Sequence, residues 1–350
     1  MKISGMNMEK NNSHKSRITL LFLVGLALFV AIFYFIGFDK LLHQLLKVYL
    51  PYFLLTIAVL VLFVHMWALR WWLFVRKADP SIPYFDILKT HLIGLAVNNL
   101  TPVAKLGGEP VKAYILNKKH KISIGQGLAT VLSDLTLEYI TSIGMVIVAM
   151  FLYITFTNPP FWVILIVLFF LLVAFLVLAG LMELQSERDL VPKFIRWLSN
   201  RSKRIESYTE RILEGYKEFQ HAFRRGLKDR KTFAAGLTLS ILLKVAEITG
   251  YFFLFLSLGY QVSLVTLVII MGVNSMLLSI PSTPGSLGIL EGGLISTFIL
   301  LGVPSAEASA AVFLQRLILF WGVTTSGSLL GVHYGVSLWS KKETEGKMLE

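Results

Sequence analysis

The chain has 350 residues, 55% of them hydrophobic and only 15% charged, against roughly 25% charged in soluble domains. That balance excludes an ordinary soluble enzyme, and the net charge of +12 fits the basic cytoplasmic loops of a membrane protein better than a nucleic-acid partner. Cysteine is absent and the histidines (His14, His43, His65, His91, His120, His221, His333) lack ligand spacing, so no disulfide, metal or cofactor is expected.

Ile18–Gly37 is the first apolar run long enough to span a bilayer. Lys10, Lys15 and Arg17 precede it, which puts the N-terminus in the cytoplasm, and no small-residue cleavage site follows, so it reads as a retained span. Leu50–Val75 returns to the cytoplasm at Arg76 and Lys77. The next segment is apolar over His91–Thr101, broken at Pro102, Gly107 and Gly108, and apolar again over Val111–Leu116 apart from Lys112. Neither half is long enough to cross, and Lys118, Lys119 and Lys121 follow, so the segment reads as a re-entrant hairpin entering from the cytoplasm. Ile124–Thr155 runs outward, Asn158, Pro159 and Pro160 turn, and Phe161–Met182 runs inward.

Residues 183–231 are polar, with 13 Lys and Arg against 8 Asp and Glu. Ile205, Tyr208, Ile212, Tyr216, Phe219 and Phe223 fall on one helix face, as expected of a basic amphipathic helix on the inner leaflet or linking two halves. Phe233–Leu258 then runs outward. Leu264–Ile280 enters, Pro281, Pro284, Gly285 and Gly288 break it, and Glu291–Leu301 returns without basic flanks, as a hairpin from the outside would. Ala306–Leu338 is the last span, ending at Lys341 and Lys342.

The fold class read from this pattern is an all-α integral membrane protein of about six spans plus two re-entrant hairpins, with both termini cytoplasmic. The two halves share a register. Pro102 to Glu109 and Pro284 to Glu291 are equally spaced; Ser123, Ala129, Leu132, Asp134 and Leu135 fall opposite Ser305, Ala311, Leu314, Arg316 and Leu317. Three spans per half is an odd number, so the second repeat (about 161–338) is expected to be inverted relative to the first (about 17–156), within one transmembrane domain.

An ionised residue at the centre of a span costs about 2.5–3.5 kcal/mol, so Glu109, Asp134, Glu291 and Arg316 must pair or line water. Inverted repeats would let Asp134 and Arg316 meet, and an Asp134–Arg316 pair is the expected arrangement, with Glu138 one turn away sharing in it. Such a pair is either a static bridge or one that opens when Arg316 takes an anionic head group, a phosphate in particular. Glu109 and Glu291 start the returning hairpin arms, where an acid also complements the helix dipole. Asn98, Asn99, Asn274 and Ser275 precede the breaks and suit unwound backbone or a head group. Gln315 adjoins Arg316.

At Asn98-Asn-Leu-Thr-Pro, Gly107-Gly-Glu-Pro-Val-Lys112, Asp134-Leu-Thr-Leu-Glu138, Pro281-Ser-Thr-Pro-Gly-Ser-Leu-Gly-Ile-Leu-Glu291-Gly-Gly and Gln315-Arg316, the chain resembles the lysylphosphatidylglycerol synthase transmembrane region family, also called flippase-like or UPF0104. The resemblance covers roughly residues 15–340. The family includes the membrane half of the multiple peptide resistance factor, whose soluble acyltransferase domain has no counterpart before Glu350, so lipid synthesis is not expected and the chain is not read as an enzyme. The resemblance implies a multi-pass protein of a prokaryotic plasma membrane that translocates a lipid with a large polar head: an anionic phospholipid, an aminoacyl-phospholipid or a polyprenyl-phosphate glycolipid. Self-association stays open. The competing readings are a proton-coupled carrier of a soluble solute and an integral-membrane lipid-phosphate transferase with Glu109 or Glu291 as base.

Overall fold

The computed structural model describes residues 38–102, 107–157, 159–183, 190–199, 209–280 and 283–347. The expected first span Ile18–Gly37, residues 103–106, Asn158 and Pro281 lie outside them, as do Ile205 and Tyr208 of the amphipathic pattern. Among the described residues the regular structure is helical, with no strand. The helices are α1 (Phe38–Leu46), α2 (Leu50–Ala78), α3 (Tyr84–Leu100), α4 (Glu109–His120), α5 (Ile124–Phe156), α6 (Phe161–Glu183), α7 (Leu190–Ser199), α8 (Thr209–Lys228), α9 (Arg230–Ser257), α10 (Leu264–Leu277), α11 (Ile289–Leu300), α12 (Ser305–Arg316) and α13 (Val323–Lys347). A π-helical turn, Leu317–Gly322, joins α12 to α13.

The local chemistry explains several boundaries. Ser123 Oγ accepts from the Gln126 amide at 3.2 Å and starts α5; Ser263 does the same for α10 through the Thr266 amide at 3.0 Å. Five helical runs are long and apolar enough to cross a bilayer: α2, α5, α6, α9 and Ser305–Gly335. They coincide with the five spans read from the sequence after the first. In α6, Phe161, Phe169 and Phe175 are at least 62% exposed and Ala174 is its one buried residue among those described. A helix so apolar and so uncovered suits lipid, not water. The order of α2 to α5 (long, short, short, long) recurs in α9 to α13, with α12, the π turn and α13 as the final long run.

The chain forms two compact units. The first, here the Arg70 unit, comprises Val64–Thr90 and Glu109–Val245. Its core joins Trp71 and Val75 of α2, Ile87 of α3, Leu116 of α4 and Val131 and Leu135 of α5, closed by Ile82 and Ile122 from the connections. A second cluster seats α8 on α5: Phe219 and Phe223 stack at 5.5 Å and bury against Ala129, with Leu128, Leu132 and Tyr216 around them. Phe219 and Phe223 of the expected amphipathic face are thus buried on α5, while Ile212 of the same stripe remains 45% exposed. Phe223→Ala is expected to cost about 3–5 kcal/mol by emptying a sealed site, read as a lower unfolding temperature of the detergent-solubilised protein.

The second, here the Arg316 unit, comprises the described residues up to Phe63, His91–Gly108 and those from Ala246 on. Its aromatic centre is Phe298 of α11, with Phe255 edge-on at 5.0 Å and Tyr251 at 6.0 Å, both from α9. Gln44 of α1 donates to Glu307 of α12 at 3.0 Å. The unit contains the later part of α3 and the whole run α10–α13.

Candidate functional site

Each unit encloses a set of charges, and the two sets are built differently. In the Arg70 unit, the Trp71–Val131–Leu135 core brings α2 against α5 and places Arg70, fully buried, beside Asp134. Arg70 Nε donates to Asp134 Oδ1 at 2.7 Å and Nη2 donates to Oδ2 at 3.2 Å, a two-pronged fork. Its Nη1 donates to Glu138 Oε2 at 3.1 Å and to Ser240 Oγ of α9 at 3.0 Å. Lys244 reaches Glu138 at 3.8 Å. Two cations face two acids. Glu109 is answered by Lys112 one turn on, at 2.9 and 3.0 Å, and Lys112 also lies 5.4 Å from the Trp71 ring centre.

In the Arg316 unit, Arg316 Nε donates to Glu291 Oε1 and its Nη2 donates to the Gly285 carbonyl at 2.6 Å. The guanidinium lies over the Phe320 ring at 4.4 Å, and Phe320 belongs to the π turn that starts after Arg316. Wide turns of this kind inside helices are frequent at functional positions. Glu291 is fully buried, and its other oxygen accepts the Gly288 amide at 2.6 Å, so it also caps α11. Asn274 of α10 donates to Glu247 of α9 at 2.8 Å.

The expected Asp134–Arg316 pair is therefore corrected: Asp134 is held by Arg70, and Arg316 by Glu291. The sign pattern of the repeats accounts for this. In the second repeat the hairpin glutamate and the span residue carry opposite charges and pair directly. In the first, Glu109 and Asp134 are like charges, so each needs its own base, supplied by Lys112 and Arg70. Glu138 joins the Arg70 set. Asn98 serves a break, its Oδ1 accepting the Gly108 amide at 2.6 Å, whereas Asn99 donates to the Thr324 Oγ1 of α13 at 2.8 Å. Ser275 bonds the Met271 carbonyl of its own helix, and Gln315 is half-buried beside Arg316.

Two glycines are required by the backbone of the breaks. A Cβ at Gly108 would fall 1.9 Å from the Gly94 carbonyl oxygen. Gly285 has φ +62, and a Cβ there would fall 2.1 Å from the Phe320 ring and 3.0 Å from the Asn99 carbonyl. Pro284 is buried beside it, whereas Pro102 and Gly107 are half-buried bends.

Arg70, Ser240, Lys244 and Glu247 were not among the residues singled out from the sequence, and Lys112 was noted only as the exception in its apolar run. Arg70, Lys244 and Glu247 carried a readable signal, because each is an ionisable residue inside an apolar run.

Long apolar helices, broken short ones and charges enclosed between them define a polytopic helical membrane protein. The family model of the lysylphosphatidylglycerol synthase TM region matches residues 19–327, and the chain belongs to that family. Archaeal relatives share its length. A UPF0104 membrane protein of Methanothermobacter thermautotrophicus is 25% identical, over 93% of this chain and 98% of its own. Another from Pyrococcus horikoshii is 26% identical, over 89% of this chain and 95% of its own. A third, from Methanocaldococcus jannaschii, is 26% identical, over 86% and 90% respectively.

Proposed function

We propose that the protein is a lipid carrier that moves a lipid with a phosphate-containing head group between leaflets without altering it chemically, and that Arg316 is the residue that takes the phosphate. The observation that carries this reading is the difference between the two arginines. Arg70 engages four of its partners' atoms, Asp134 Oδ1 and Oδ2, Glu138 Oε2 and Ser240 Oγ, and its side chain is 1% exposed. It behaves as a staple. Arg316 uses its Nε and one Nη among five N–H donors, and 8% of its side chain stays accessible. A buried guanidinium with donors to spare suits an incoming oxyanion. In this reading the breaks at Gly108 and Gly285 are the tips of two re-entrant hairpins in inverted repeats, both termini are cytoplasmic, and the membrane is the plasma membrane of a prokaryote.

The test is transfer between leaflets in proteoliposomes, using labelled phosphatidylglycerol, lysylphosphatidylglycerol and a polyprenyl-phosphate-linked sugar. Arg316→Lys keeps the charge opposite Glu291 and loses the planar fork. Transfer is expected to fall about ten-fold or more, with the protein still folded. Recovery of every lipid unaltered by mass spectrometry is also expected. Transfer at the wild-type rate in Arg316→Lys overturns the role of Arg316, and a wild type that moves none of the three overturns the carrier.

A further inference from the structure

Tyr251 lies on α9 in the Arg316 unit, 2% exposed, and its hydroxyl has no hydrogen-bond partner among the described residues. Its ring packs against Phe298, with ring centres 6.0 Å apart. Buried tyrosine hydroxyls nearly always find a partner, because an unmade bond forfeits the water the group gave up. The charges within electrostatic reach of it are Glu247, Arg316 and Glu291, the same groups that form the proposed head-group site. Glu291 is already engaged by Arg316 and the Gly288 amide, and Glu247 accepts from Asn274.

We infer that the Tyr251 hydroxyl is a binding contact of the Arg316 site and donates a hydrogen bond to a phosphate oxygen of the bound ligand. The inference rests on the reading of Arg316 as the phosphate ligand. It assigns the orphan donor and the accessible guanidinium to the same anion: Arg316 brings charge and Tyr251 a neutral donor. A phosphate oxyanion accepts from both, whereas a purely cationic solute would leave both unused.

Tyr251→Phe tests this by removing one oxygen and leaving the ring against Phe298. The purified full-length protein in detergent is titrated with inorganic phosphate, glycerophosphate and short-chain phosphatidylglycerol, and the rise in unfolding temperature is followed. Without ligand, Tyr251→Phe is expected to melt at or above the wild-type temperature, since it loses only an unsatisfied hydroxyl. With glycerophosphate or the short-chain lipid, its midpoint is expected at about ten-fold higher concentration, the weight of one hydrogen bond to a charged acceptor. Inorganic phosphate acting as strongly as the lipid would identify a free anion as the ligand and keep the Tyr251 contact. An unchanged midpoint, a ligand-free loss of stability, or no response of the wild type to any of the three overturns the inference. Arg316→Lys is titrated alongside. A normal midpoint there with an impaired Tyr251→Phe removes the role of Arg316 alone, and the reverse removes that of Tyr251 alone.

Discussion

Arg70→Ala is expected to lower the stability of the protein by about 3–5 kcal/mol, enough to abolish most folded material at growth temperature. The reason is desolvation, not the strength of the bridge itself. Asp134 and Glu138 would keep their places in the interior with the fork removed: Asp134 would lose both of its Arg70 bonds, and Glu138 would retain Lys244 at 3.8 Å. Ser240 would lose its donor as well. Removing both ends of the pair is milder, since neither charge is then stranded. The double variant Arg70→Ala/Asp134→Ala is therefore expected to melt above Arg70→Ala, and a double-mutant cycle on the detergent-solubilised protein reads the coupling directly. A wild-type melting curve for Arg70→Ala would remove the staple from the account of this fold.

Gly285→Ala is expected to damage both stability and transfer. A non-glycine residue at φ +62 costs about 1–2 kcal/mol, and forcing a methyl group into the Phe320 ring adds about 1–3 kcal/mol. The functional loss follows from the same contact. The Gly285 carbonyl accepts from Arg316 Nη2, and Phe320 lies beneath that guanidinium, so any relief of the clash moves the proposed head-group ligand. Transfer is expected to fall at least as far as in Arg316→Lys. Combining Gly285→Ala with Phe320→Ala removes the ring but not the backbone strain, so it restores stability in part and transfer not at all. Full transfer by the single variant would show that the break does not position Arg316.

The spans from Leu50 on were legible because a bilayer-length apolar run is a local property of composition. Pro284, Gly285 and Gly108 were legible as breaks because proline and glycine act on their own backbone. The sharing of Arg70 by Asp134 and Glu138 was not legible. Asp134 and Arg316 stood out through the repeat register, and Arg70, which has Phe252 opposite it in that register, drew no attention although it sits in an equally apolar run. A repeat highlights matched positions; a buried charge needs the nearest opposite charge, matched or not.

By itself, then, the sequence determined the class of this protein, the helices that suit a membrane, the places where they break, and which residues are too costly to leave in lipid. Those are sums over a few neighbouring residues, and hydropathy, chain geometry and desolvation act on them directly. Only the tertiary structure decided which charges answer one another, that Glu291 both caps α11 and holds Arg316, that Phe219 and Phe223 spend the amphipathic face on α5, and that the Tyr251 hydroxyl has no hydrogen-bond partner among the described residues. Each of these depends on the rotation of one packed helix against another, which a one-dimensional pattern does not contain: about 100° of turn per residue separates one candidate partner from the next.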